Sequence, residues 1–341
     1  MNILLKYSTN KQTQFRVILL LSMAVLIIIT ISSILIGSVK IPFSDFLSFF
    51  FSKEVSRATY NIIFNVRIPR TLAAMLAGSA LAVSGAILQT VMNNSLASPS
   101  IIGVNSGAAL FVLIIFSLFP YYYSLIPIAA FIGAFLTAMI VFVVALKTGA
   151  SRISIILTGV AISTILSAAI DLLSILNPDQ MLSATSFMLG GFTGITMSKL
   201  IFPSWYIITG LILSLLYSPS LNILNLGDEV AASVGMDIKR YRFIFIAIAA
   251  LLAGSAVSFS GLLGFIGLLV PHVTRLIIGT DSRHIIPLSA IFGATFVIGC
   301  DILVRIIFAP YEIPVGIMMS FFGGPFFLWL LINQKRRRLY A

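Results

Sequence analysis

Charged side chains are scarce in this sequence: they make up 9% of its 341 residues, against 59% hydrophobic residues. An ordinary globular domain is roughly a quarter charged. A soluble fold of this size could not cover its surface with so few ionic groups, whereas lipid needs no such cover, so a soluble enzyme is excluded. Cysteine is nearly absent as well. The single Cys300 allows neither an intramolecular disulfide nor a thiolate metal cluster and reads as a small apolar packing residue. His272 and His284 stand isolated, without a His-Glu-x-x-His pattern, so no metal site is expected. The phosphate-cradling Gly-x-x-x-x-Gly-Lys-Ser/Thr loop is missing, and, many as the serines are, no histidine and carboxylate lie in evident reach of a nucleophile elbow. Neither enzymatic activity nor a cofactor is expected.

What is present is a series of long apolar runs. Residues 17–37 form the first, preceded by Lys6, Lys11 and Arg16, and lack a small-residue cleavage site, so they read as a retained span. Residues 38–65, with Asp45, Lys53, Glu54 and Arg57, read as a long extramembrane loop. No charge occurs over 71–146, long enough for about three spans at about 20 residues each. Asn93, Asn94 and Pro99 break this stretch once, and Pro120 with Tyr121, Tyr122 and Tyr123 breaks it again, the tyrosines suiting a membrane interface. A helix over 153–176 follows, then a short helix over 181–194 ending in a turn at Gly190, Gly191 and Gly194, then a span over 200–217.

The charge-free stretch 243–274 is too long for one helix and splits into a full and a shorter span. Further spans cover 285–307 and 313–333. The pattern predicts an all-α polytopic bundle of about ten membrane helices in a single domain. The formal charge of +11 is spread around the apolar runs, which suits a membrane protein and leaves no basic domain for nucleic acid. Basic residues at Lys6, Lys11, Arg16, Lys147, Arg152, Lys239, Arg240, Arg242, Arg275, Arg283 and 335–338 fall on one side. Lys40, Lys53, Arg57, Arg67, Arg70, Lys199 and Arg305 fall on the other. The bias places both termini in the cytoplasm and the chain in the cell membrane.

One string recurs. Leu76-Ala77-Gly78-Ser79-Ala80, with Ser84-Gly85 after it, reappears as Leu252-Ala253-Gly254-Ser255-Ala256, with Ser260-Gly261 after it. In the predicted topology the copies run in opposite directions, the mark of an inverted repeat with halves about 66–176 and 242–334. Ionisable residues inside spans are few. Asp171 lies in the fifth span, and Asp301 and Arg305, four apart in the ninth, share a helix face where an ion pair can form. A transporter driven by a proton or sodium gradient would hold more charge at mid-membrane, yet with Asp171 or Asp301 essential it is the alternative class.

Val66-Arg67-Ile68-Pro69-Arg70-Thr71-Leu72-Ala73, Leu88-Gln89, Asn94-Ser95-Leu96-Ala97-Ser98-Pro99 and Gly103-Val104-Asn105-Ser106-Gly107 resemble the opening block of the FecCD-type permeases of ABC importers for iron-siderophore, haem and cobalamin. Leu189-Gly190-Gly191, the stretch 224–235, Gly264-Phe265-Ile266-Gly267-Leu268, Pro271-His272, Glu312-Ile313-Pro314-Val315-Gly316 and Gly324-Pro325-Phe326 continue the likeness in order. Ser95-Leu96 stands where the family often has Pro-Leu. The resemblance implies a subunit pairing with a second permease subunit, a copy or a related chain. Two cytoplasmic ATPases would drive it, and an external binding protein would deliver cargo. A ferric siderophore is the expected cargo, with haem or cobalamin as alternatives.

The resemblance also distributes roles. Within a cytoplasmic coupling segment at about 221–242, Gly227, Asp228, Glu229, Ala232 and Gly235 are expected to meet the ATPase. Arg67, Arg70 and Arg305 match arginines that meet acidic residues of the binding protein, which steers docking; anchoring by snorkelling is their other reading. Ser163, Ser167 and Asp171 are expected to line the pathway, although polar groups in a bundle also bind helix to helix.

Overall fold

The structure is a computed structural model that describes residues 2–37 and 56–339. Lys40, Asp45, Lys53 and Glu54, with most of the expected loop, lie outside the described residues. Among those described, all regular structure is helical. The helices are α1 (Asn2–Leu35), α2 (Arg57–Val91), α3 (Val104–Leu118), α4 (Ile126–Lys147), α5 (Arg152–Leu176), α6 (Pro178–Leu189) and α7 (Met197–Leu216). Then come α8 (Ser218–Asn225), α9 (Asp228–Ser233), α10 (Ile238–Ser260), α11 (Ile266–Ile278), α12 (Ser282–Ile307) and α13 (Val315–Leu339). Seven helices are long and apolar enough to cross a membrane, and three shorter apolar ones, α3, α11 and the Val315–Leu328 part of α13, complete the expected set.

The expected loop over 38–65 ends earlier than its composition suggested. Ser56 caps a helix, its Oγ accepting from the Thr59 N–H at 3.1 Å, and α2 begins at Arg57. Pro69 lies within α2, directly after a π turn over Ile62–Arg67. Proline has no N–H to donate and crowds the carbonyl four residues back; a wide turn at that point lets the helix continue.

Side-chain contacts give the helix directions. Along α2 and α12, Arg70 meets Asp301 and Ser79 donates to the Ala290 carbonyl, so the two are antiparallel. Gly210 of α7 packs on Leu252 and Tyr217 on Phe245, so α7 and α10 are antiparallel. The start of α12 is pinned to α8, just after the end of α7, by Asn222 and Asp281 at 2.7 Å. Hence α10 and α12 both start at the end of the bundle where α2 finishes. The two copies of the repeated string therefore run in opposite directions, as the sequence predicted.

Each copy heads a long, short, long series: α2, α3, α4 and then α10, α11, α12. Gly78 of α2 packs on Gly293 of α12, and Gly254 of α10 packs on Ala134 and Phe131 of α4. The first helix of each half thus lies on the third helix of the other, as a two-fold relation requires. In the apolar windows of α2 and α10, 78% of residues are buried, against 11% in α1 and α5, which puts the two string-bearing helices at the centre.

Lipid supplies no hydrophobic drive between helices, so close contact has to do the work. A Cβ at Gly78 would collide with the Gly293 backbone, and one at Gly85 with the Gly267 backbone. Gly85→Val is expected to destabilise the chain by about 1–3 kcal/mol or more through overpacking. Gly264→Ala, with nothing within 4 Å of the new methyl, should change stability by less than about 0.5 kcal/mol. Unfolding by SDS titration in detergent measures both.

Candidate functional site

Chemistry-bearing residues gather in three places along the bundle. The first is the end where α1 finishes. Asp301, fully buried, meets Arg70 Nε at 3.0 Å and the Arg305 guanidinium at 2.9 Å, and Arg70 reaches Glu312 at 3.4 Å. Arg305 also donates to the Ser33 and Ile36 carbonyls, and Arg67 to those of Ile34 and Leu35 at 2.7 and 2.6 Å. The expected ion pair between Asp301 and Arg305 is present. The expected outward-facing arginines are not: Arg67, Arg70 and Arg305 are 4%, 5% and 8% exposed, neither presented for docking nor snorkelling. The reason lies in α1, whose last carbonyls have no helical partner and carry the negative end of the helix dipole. Two guanidiniums satisfy them, and Asp301 offsets the charge. Beside Arg70, a cavity of about 160 Å³ opens among Asn65, Thr193, Thr196 and Glu312.

The second place is the mid-bundle. Ser167 and Asp171 lie exposed on α5 with Thr164, on one stripe of the helix. Ser163 is half-buried beside Gly103, and its Oγ has no hydrogen-bond partner among the described residues. Polar groups facing hydrocarbon are costly, so this stripe suits water or a partner chain.

Nearby, three chain segments meet through their backbones. Gly191 N–H donates to Ser260 at 2.8 Å, Leu262 N–H to Phe187 at 3.0 Å, and Gly316 N–H to Gly190 at 3.1 Å. Gly190 and Gly261 both have φ of +67°, and side chains at 190, 261 or 316 would strike the neighbouring carbonyls. This junction holds open the unwound stretch between α10 and α11, tolerable at membrane depth where it lines a cavity. A cavity of about 610 Å³ does lie there, walled by Met188, Leu189, Leu262, Ile317, Ser320 and Phe321. Sequence reasoning read Gly190, Gly191 and Gly194 as a turn and did not foresee that they meet the segments at 261 and 316; the glycines breaking each apolar run were the signal available.

The third place is the opposite end, where α8 and α9 form a short excursion. Gly227, at φ +113°, turns the chain into α9, and Gly235, at φ +81°, turns it out. Glu229 and Ala232 are exposed, as are Leu226, Val230 and Val234, spaced four apart. Asp228 differs from its neighbours. Its carboxylate accepts from Arg242 at 2.8 Å and from Arg152 at 3.1 Å, so of the five residues expected here it is the one that ties α9 to the bundle. Arg152 and Arg242 were legible in the sequence only as topology signals. Alongside, burial pushes the Asp281 carboxyl up, but the hydrogen bond from Asn222, the Arg283 N–H and the charges of His284 and Arg283 outweigh it and hold it below its ordinary value. Its stabilising contribution is present above the ordinary carboxylate range and is lost as pH falls through the lowered value.

The FecCD transport family matches residues 25–333 of this sequence. The chain belongs to the FecCD transport family. It is 36% identical over 336 residues to the hemin transport system permease protein HmuU of Yersinia pestis, covering 96% of this chain and 99% of the relative. It is 35% identical over 339 residues to the Fe(3+)-citrate import system permease protein YfmE of Bacillus subtilis, covering 98% and 100%. The probable heme-iron transport system permease protein IsdF of Staphylococcus aureus (strain Newman) is 35% identical over 329 residues, covering 95% and 98%. Among solved structures, an inward-facing conformation of a putative metal-chelate type ABC transporter matches with a TM-score of 0.81 at 27% identity, covering 93% of this chain and 99% of that one. PsaBC from Streptococcus pneumoniae, at 16% identity and a TM-score of 0.56, shares the fold.

Breaking the buried cluster at the first end should be costly, because Arg305 would lose its carboxylate and Arg70 would keep only Glu312. Asp301→Asn is expected to destabilise the chain by about 3–5 kcal/mol, again read by SDS titration.

Proposed function

We propose that this chain is the membrane-spanning subunit of an ATP-driven importer of an iron chelate, with α9 docking on a cytoplasmic ATPase and α5 lining the pathway. Membership of the FecCD transport family carries the reading. The exposed apolar side chains of Leu226, Val230 and Val234 around Glu229 support the docking role, since apolar groups exposed on a short excursion suit a groove in a partner protein. Placing that end in the cytoplasm puts both chain termini there, in agreement with the basic residues of the sequence. The family reading brings three kinds of partner: a pair of ATPase subunits, a second permease subunit, and an external binding protein that hands over the cargo.

The polar stripe of Thr164, Ser167 and Asp171 supports a pathway on α5. For the binding protein, the burial of Arg67, Arg70 and Arg305 supports an indirect role: they hold the rim, from which Glu312 remains half-exposed. An ion-coupled mechanism is disfavoured because both carboxylate oxygens of Asp301 are already engaged by Arg70 and Arg305. The cargo read from the sequence is a ferric siderophore. Relatives named for hemin and for Fe(3+)-citrate support haem and ferric citrate as rival cargoes.

The test is uptake of labelled siderophore, haem and ferric citrate, with cobalamin as a fourth cargo, by the complex reconstituted with its ATPase and binding protein. ATP-dependent uptake of one iron chelate is expected, and Glu229→Arg should reduce it about tenfold or more by opposing the ATPase surface. Uptake driven by a proton gradient without the ATPase would overturn the proposal.

A further inference from the structure

A docking helix is useful to a transporter only if its movement reaches the pathway, and α9 is connected to the bundle through few groups. Its six residues leave Glu229, Ala232 and Ser233 exposed, and its buried residue is Ala231. Asp228 supplies the polar connection. One carboxylate joins three segments that are distant in sequence: the start of α9, Arg152 in the first turn of α5, and Arg242 in the second turn of α10. The backbone strengthens the same joint. Arg242 donates to the Ala150 carbonyl at 2.7 Å, in the turn where Gly149 and Ala150 have φ of +90° and +52°, immediately before α5. Arg152 donates to the Leu224 carbonyl at 3.3 Å, at the end of α8. The excursion is thus fastened at Asp228 and Leu224 to the first turn of α5, the helix that carries the exposed polar stripe.

We propose that the Asp228 carboxylate is the joint through which α9 drives α5, with Arg152 and Arg242 as its positioning residues. This rests on the reading of α9 as the ATPase dock and α5 as pathway wall. The physical argument is one of stiffness. Arg242 is buried and held by α10, one of the two central helices, while Arg152 is partly exposed and rides on peripheral α5. A carboxylate held by both transmits a push on α9 against a fixed point to a helix with little burial to resist it. Charge-assisted hydrogen bonds from two arginines on different helices fix the direction of that push better than apolar contact would.

The test uses the complete complex in liposomes. Asp228→Asn is expected to copurify with the ATPase and still support ATP hydrolysis, while cargo taken up per ATP falls about tenfold. Asp228→Glu, which keeps the charge, should recover most of that ratio. Wild-type uptake per ATP in Asp228→Asn overturns the proposal. Because the variant could fail to fold, a second measurement uses the natural joint: spin labels at Ser233 and Ile153 in a Cys300→Ala chain. Their separation should hold within about 2 Å between nucleotide-free and ATP-trapped complex, while labels at Ser233 and Phe202 move apart or together. A Ser233–Ile153 separation that changes by more than this means that α9 and α5 move independently, and the joint is refuted. Val230→Asp separates this failure from that of the underlying reading: if the ATPase stays bound and uptake is unchanged in Val230→Asp, α9 is not the dock at all.

Discussion

Helices surrounded by lipid gain nothing from apolar burial against one another, and their backbones can find no water. What holds this bundle together is therefore close approach at α2. Gly78 and Gly85 let α12 and α11 reach its backbone directly, and Ala73, Ala74, Ala77 and Ala80, all fully buried, keep the rest of its surface shallow. Ser84 donates to the Ala249 carbonyl of α10 and Gln89 to the Gly267 and Leu268 carbonyls, so the polar groups on α2 act between helices. The unwound stretch before α11 depends on the same frame. It can leave helical geometry because Gln89 takes carbonyls at the start of α11 while the ends of α6 and α13 pair with the backbone around it.

The two ends of the bundle use one device in two settings. At each, an aspartate sits between two arginines: Asp301 between Arg70 and Arg305, Asp228 between Arg152 and Arg242. Asp301 is wholly buried, so removing either partner strands a charge away from water, and the arrangement is rigid. The Asp228 side chain is 43% exposed, so water and salt weaken each pair, and the joint holds because two arginines and the Leu224 and Ala150 carbonyls share it. One end of the bundle is thus closed by a buried cluster, and the other ties an exposed short helix to α5 and α10 through a partly exposed one.

Several features were readable before any coordinates. The apolar runs located nearly all spans, because hydrocarbon demands long charge-free helices, and the string that recurs at 76–85 and 252–261 disclosed that α2 and α10 run in opposite directions. The start of α2 was misjudged because its first residues have mixed composition, and a helix cap such as Ser56 is a local signal that hydropathy does not register. The rim arginines lie together at one end of the bundle, in surroundings that the sequence did not disclose. Topology rules read the position of a charge along the chain, whereas its neighbours here come from α1 and α12, far away in sequence.

The sequence by itself determined that this chain lies in a membrane as an all-helical bundle, which residues break its spans, and which short segment leaves the bundle between α7 and α10. Composition and run length suffice for those, because solvation of whole segments is a sum over residues. Only the tertiary structure decided that Arg67, Arg70 and Arg305 close the end of α1, that glycines 190, 261 and 316 interlock three chain ends around a cavity, and that Asp228 faces inward while Glu229 faces out. Those outcomes depend on contacts between segments far apart in the chain, where an ångström of approach decides whether a charge is satisfied or exposed.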